Sequence, residues 1–148
     1  YRESLWGGIH GGLRHWLVIS MVLAACGYLT FSSLVILRGI SAIEPSLNAI
    51  LGNRGVNLMT LVFLSSAALW MPLSVAYLHS GNQLLWLLTV SVLWVTALSL
   101  FVLTLIVAAG GVSGFSYVDR VISTAGLATI TFHCLVMDGL IWVIRFHR

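Results

Sequence analysis

GVNLMTLVFLSSAALWMPLSVAYLHSGNQLLWLLTVSVLWVTALSLFVLTLIVAAGGVSGFSYV, residues 55–118, contains no Asp, Glu, Lys or Arg. A water-soluble domain needs charge across its surface and does not leave this much chain bare. The core of a bilayer requires such a stretch, because a charge at mid-membrane is costly. Two further apolar runs lie between Arg14 and Arg38, with no charged residue, and between Arg120 and Arg145, with Asp138 alone. The sequence predicts an integral membrane protein.

The long run breaks at one place, His79-Ser80-Gly81-Asn82, which reads as a tight turn. A crossing takes about 20 residues for roughly 30 Å of hydrocarbon. Four spans follow, at about 16–37, 57–78, 83–109 and 121–144. A closed barrel would need apolar–polar alternation, and Leu98-Ser99-Leu100-Phe101-Val102-Leu103 shows none. The expected fold is therefore an all-α, four-transmembrane-helix bundle forming a single domain over residues 1–148. Between helices 1 and 2, residues 43–52 predict a short interfacial helix. Pro45 sits at its start, Gly52 at its stop, and Leu47, Ile50 and Leu51 on one face. The Gly-rich residues 4–12 predict a segment lying along the interface, anchored by Trp6 and Trp16. The Gly- and Ser-rich residues 110–117 predict a mobile connection. Tyr1 in place of Met fits a processed or truncated start.

Composition agrees: 59% of the chain is hydrophobic and 7% charged, where a soluble domain carries about a quarter. All seven cations are Arg, whose guanidinium suits phosphate headgroups and interfacial ion pairs. They form no basic cluster, which argues against nucleic-acid binding. Membrane lipid is the expected small partner. Four spans put both termini on one side, with Arg2, Arg14, Arg145 and Arg148 against Arg38, Arg54 and Arg120. Positive-inside reasoning places that side in the cytoplasm or its organellar equivalent.

Asp138 is the sharpest single residue. It lies seven residues before Arg145, roughly 10 Å inside the boundary, where a carboxylate is a functional suspect by default. Ser20, Ser74, Thr89 and Ser91 fall at similar depth and could form a polar layer around it, as a proton or ion site or an inter-subunit contact. The plain alternative is that Arg145, two turns on, reaches back to it. His133, near mid-span, could ligate haem or a chlorophyll magnesium as a single axial ligand. No second mid-span His exists to make a bis-His haem site, and a packing role competes. Cys26 and Cys134 lie at matching depth, but His133 and Cys134 point about 100° apart, so no metal site is expected. His10, His15, His79 and His147 map to the terminal side without a zinc-like spacing.

No nucleophile elbow, P-loop or dinucleotide fingerprint is present, which points away from an enzyme. Three functions remain. The first is a small accessory or structural subunit of a larger respiratory or photosynthetic membrane complex, held by other membrane subunits. The second is a small transporter, channel or proton-handling protein using Asp138. The third is a haem- or pigment-binding redox protein using His133.

Overall fold

The computed structural model describes residues 4–38 and 53–146. Among them are four helices long and apolar enough to cross a membrane, and no strand. We label them α1 (Gly11–Arg38), α2 (Asn53–Ser80), α3 (Gln83–Ala108) and α4 (Tyr117–Arg145). The interfacial helix expected at 43–52 lies outside the described residues.

The N-terminal segment does not simply lie along an interface. A 3-10 turn, Ser4–Trp6, folds back on the end of the bundle, and α1 is already helical at Gly11. The Trp142 indole N–H donates to the Leu5 carbonyl (2.8 Å), and the Gly8 N–H donates to the Arg145 carbonyl (3.0 Å). The Arg14 guanidinium covers the Trp6 ring at 4.6 Å. These contacts satisfy backbone groups that a helix end leaves open. They also put the two described ends of the chain at the same end of the bundle.

The turns follow their residues. Between α2 and α3, Gly81 takes φ 64°, open to glycine at no steric cost, and Asn82 caps α3 by accepting from the Leu84 N–H. Before α4, Ser116 and Asp119 form a reciprocal capping box. The connection between α3 and α4, expected to be mobile, is folded against the bundle, with Val112 buried in the core.

In lipid, helices gain little from burying apolar surface and associate through close packing and hydrogen bonds. Both are visible here. The inward side chains of α3 include Thr89, Leu93, Thr96, Leu100, Leu103 and Val107, alternately four and three residues apart, the spacing of a packed helix seam. Thr96 donates to the Ser66 hydroxyl on α2 (2.8 Å), and the Thr104 and Thr131 hydroxyls meet across α3 and α4 (3.0 Å). On its far side α4 packs against α1, where Gly27 and Gly126 touch backbone to backbone. A Cβ added at either would lie 2.5 Å from the other's carbonyl oxygen. Across the remaining side, α1 reaches α2 through rings, Tyr28 edge-on to Phe63 at 5.1 Å.

The fourth helix changes its winding. Tyr117–Phe132 is α-helical, His133–Trp142 is π-helical, and Val143–Arg145 returns to α. Most π-helix occurs as single-turn bulges, often at functional sites, so ten residues of it is a long run. Gly139 favours it: a Cβ there would sit 3.1 Å from the Cys134 carbonyl, five residues back.

Candidate functional site

The backbone contact of Gly27 with Gly126 sets the register of α1 against α4. The two helices run antiparallel, so seven residues before Gly27 and seven after Gly126 lead to the same level. Seven residues is two helical turns, which returns each helix to nearly the same face. Those residues are Ser20 and His133, and the Ser20 hydroxyl lies 2.8 Å from His133 Nδ1. Close approach at the glycines thus aligns the polar pair.

The π winding adds the third member. In an α-helix, residues five apart point about 140° away from each other. Widening the turn brings positions 133 and 138 onto one side, and His133 Nε2 lies 3.4 Å from Asp138 Oδ2. The histidine side chain is 7% exposed and the aspartate side chain 27%. The imidazole is therefore enclosed, while the carboxyl keeps one open edge. The result is a row of three polar side chains between α1 and α4, Ser20 hydrogen-bonded to His133 and Asp138 within 3.4 Å of its other nitrogen. Arg145, the partner considered for Asp138 from the sequence, is exposed and accepts from Gly8 through its carbonyl instead.

The other hydroxyls matched to Asp138 by depth are not drawn to it. Ser74 and Thr89 are buried but donate to carbonyls of their own helices, Trp70 O (2.9 Å) and Leu85 O (2.8 Å). Ser91 is exposed on the outer face of α3. A shared depth does not give a shared azimuth, and these helices turn their hydroxyls elsewhere.

Both nitrogens of His133 are engaged, one by Ser20 and one by Asp138. An axial bond to haem or to a chlorophyll magnesium would have to displace one of them, so the geometry gives that reading no support. Cys26 is exposed on α1 and Cys134 is half-buried; both are free thiols. His10 and His79 are exposed, and His15 Nδ1 lies 3.0 Å from the Gly11 carbonyl of its own first turn. Among the described residues, no group of three or more His, Cys, Asp or Glu could hold a metal ion.

Ser, His and Asp are also the members of a hydrolytic triad, which is recognised by geometry and roles. A nucleophile needs room beside it for a substrate. A cavity of about 180 Å³ lies at the opposite end of the bundle, between the close of α3 and the start of α4.

Beneath the site, at the terminal end, lies an aromatic floor. Trp142 packs against Trp70 (5.9 Å), Trp86 (5.6 Å) and Phe146 (4.6 Å). The buried indole N–H of Trp70 has no hydrogen-bond partner among the described residues. The floor separates the polar chain from the bundle end that carries Arg14 and Arg145.

Sequence reasoning missed the His133–Asp138 contact because α-helical spacing separates the two. It also missed the Gly27–Gly126 crossing, since nothing in a single sequence pairs two isolated glycines. The Ser116–Asp119 cap carried a readable signal, Ser-x-x-Asp ahead of an apolar run. Compared with family models, curated proteins and solved structures, the chain matches none.

Proposed function

We propose that the protein handles protons within the membrane, using the Ser20–His133–Asp138 chain as a short relay. The observation that carries this reading is the His133–Asp138 contact at 3.4 Å, built by a π-helical departure from regular winding. Ionisable side chains inside apolar spans are costly and mark ion or proton pathways. A histidine with a carboxyl on one nitrogen and a hydroxyl on the other can change tautomer.

The step balances simply. With Asp138 neutral, its O–H faces Nε2 while Nδ1–H donates to Ser20 Oγ. The Asp138 proton moves to Nε2, the Nδ1 proton moves to Ser20 Oγ, and the original hydroxyl proton leaves Ser20 for the next acceptor. Asp138 ends as a carboxylate beside Nε2–H, and Ser20 O–H now donates to Nδ1. One proton has passed from Asp138 to beyond Ser20. The chain resets when the Asp138 carboxylate takes a new proton through its open edge and the His133 ring turns over, so that an N–H again faces Ser20.

The test is proton flux into liposomes that carry the purified protein and an internal pH dye, under an imposed gradient. Wild type should carry protons above the rate of empty liposomes. Asp138→Asn and His133→Gln should each return flux to that background while the protein stays helical and monodisperse. Flux at background for wild type, or flux unchanged in Asp138→Asn, sinks the relay.

A second reading has its own support: a small accessory subunit packed into a larger respiratory or photosynthetic assembly. Ser65 and Ala68 lie exposed on the outer face of α2 among Leu61, Leu64 and Leu69. Small residues on an outward helix face allow another helix to approach closely. Both termini would then lie on the cytoplasmic side or its organellar equivalent, by the distribution of Arg. Migration of gently solubilised protein as a lone species, instead of with a large complex, would count against this second reading.

A further inference from the structure

The end of the bundle away from the polar chain carries Arg38, Arg54 and Arg120 in its described part. Arg38 is paired: its guanidinium lies 3.2 Å from Asp119, whose other oxygen accepts from Ser116. Arg120 is different. No described carboxylate approaches it, and its guanidinium lies over the Tyr117 ring at 5.5 Å. Stacking of this kind leaves the N–H edge of the guanidinium available.

Arg120 also lines the cavity of about 180 Å³, together with Ser116, Gly110, Val107, Val112 and Phe115. Gly110 makes the room. It takes φ 84°, and a Cβ there would stand 3.1 Å from the Arg120 terminal nitrogen. The lining joins the Arg120 guanidinium and the hydroxyls of Ser116 and Tyr117, the former already donating to Asp119, to an apolar wall. Pockets for whole drug-sized ligands run from about 300 to 1,000 Å³, so this one takes only the head of a molecule. Tyr117 lines its mouth, and outside it Val118, Val121 and Leu105 are exposed and apolar, a surface suited to acyl chains.

From this we infer that the Arg120 cavity is a phosphate site, taking the phosphodiester head of an anionic phospholipid whose tails lie along α3 and α4. Basic pockets between transmembrane helices bind acidic lipid heads in this manner, and Arg matches two phosphate oxygens at once. Free inorganic phosphate shares the recognised chemistry and is the other possible source. The inference does not depend on the proton relay, which lies at the other end of the bundle.

The full chain is placed in nanodiscs of phosphatidylcholine mixed with phosphatidylglycerol, and the lipid retained after gentle extraction is measured by native mass spectrometry. Wild type should retain phosphatidylglycerol over phosphatidylcholine by about tenfold, the worth of a contact of about 1.4 kcal/mol. Arg120→Gln should lose that preference. Arg120→Lys should keep a reduced one, since Lys offers charge without the two-pronged geometry. Arg38→Gln should keep it in full. In a parallel arm, phosphorus NMR follows inorganic phosphate added to discs of phosphatidylcholine alone. Binding there that vanishes in Arg120→Gln keeps the phosphate site and assigns it to a soluble source. Equal retention in wild type and Arg120→Gln, with no phosphate binding, overturns the inference. Unchanged far-UV dichroism and elution of the variants show that each is folded.

Discussion

The two halves of α4 share one helix axis and one neighbour, α1, yet they meet it by opposite means. From Tyr117 to Phe132 the winding is regular, the start is closed by the Ser116–Asp119 capping box, and α1 is met by bare backbone at Gly126 against Gly27 and, at the first turn, by the Arg38–Asp119 ion pair. From His133 to Trp142 the winding opens to π and contact is made by side chains, Ser20 to His133. The first half joins the helices at mid-length by shape, with one ion pair at its outer end. The second half departs from regular winding where polar groups must find partners inside an apolar span, since an unsatisfied polar group there costs more than a distorted turn. The glycine crossing is the structural fulcrum of this helix pair.

That contrast is open to experiment. The largest effect should come from Gly126→Leu, which puts a side chain where a Cβ alone would lie 2.5 Å from the Gly27 carbonyl. Ordinary overpacking costs about 1–3 kcal/mol; here backbone must move, so the loss should exceed that range. Unfolding in mixed micelles, followed by dichroism, should show a bundle that no longer folds cooperatively. Gly12→Ala, with nothing within 4 Å of its added Cβ, should leave the transition in place. Equal stability of the two variants would remove the fulcrum.

A middle-sized effect is expected at the polar chain. His133→Leu leaves Asp138 without its partner and should destabilise by about 1–3 kcal/mol, the cost of stranding a buried polar group. Replacing both, His133→Leu with Asp138→Leu, should recover most of that loss, because well-packed apolar residues often match or exceed a buried ionic pair. The same double variant should carry no protons. A double variant no more stable than His133→Leu alone would mean that the cost lies in lost packing and not in the orphaned carboxyl.

The smallest effect belongs to the regular half. Ser116→Ala removes the side chain that accepts from the Asp119 N–H and should cost about 0.5–2 kcal/mol, typical of a lost N-cap. Its mark should be local. Amide exchange should quicken in the first turn of α4 and stay unchanged around His133. Faster exchange throughout the π segment would show that the two halves are coupled more tightly than their different contacts imply.

The architecture was legible because its cause is compositional. Apolar runs bounded by Arg, with Asp138 the one charge inside them, and the polar break at residues 79–82 name four helices without reference to any contact. The site was legible only in its members. Ser20, His133 and Asp138 each stand out as polar residues in an apolar span, but the sequence ranks Ser74, Thr89 and Ser91 beside them with equal warrant. Depth can be counted along a chain, whereas the direction a side chain faces depends on its neighbours. Ser74 and Thr89 turned to their own backbones, and Ser91 faces outward.

By itself, then, the sequence determined that four apolar helices form and how deep each polar residue lies, because hydropathy and rise per residue are local properties. Tertiary structure alone decided which polar residues meet. Close approach at Gly27 and Gly126 fixed the register of α1 on α4, and the π turn rotated Asp138 onto the face of His133. Both depend on contacts between distant residues, which no window along the chain contains.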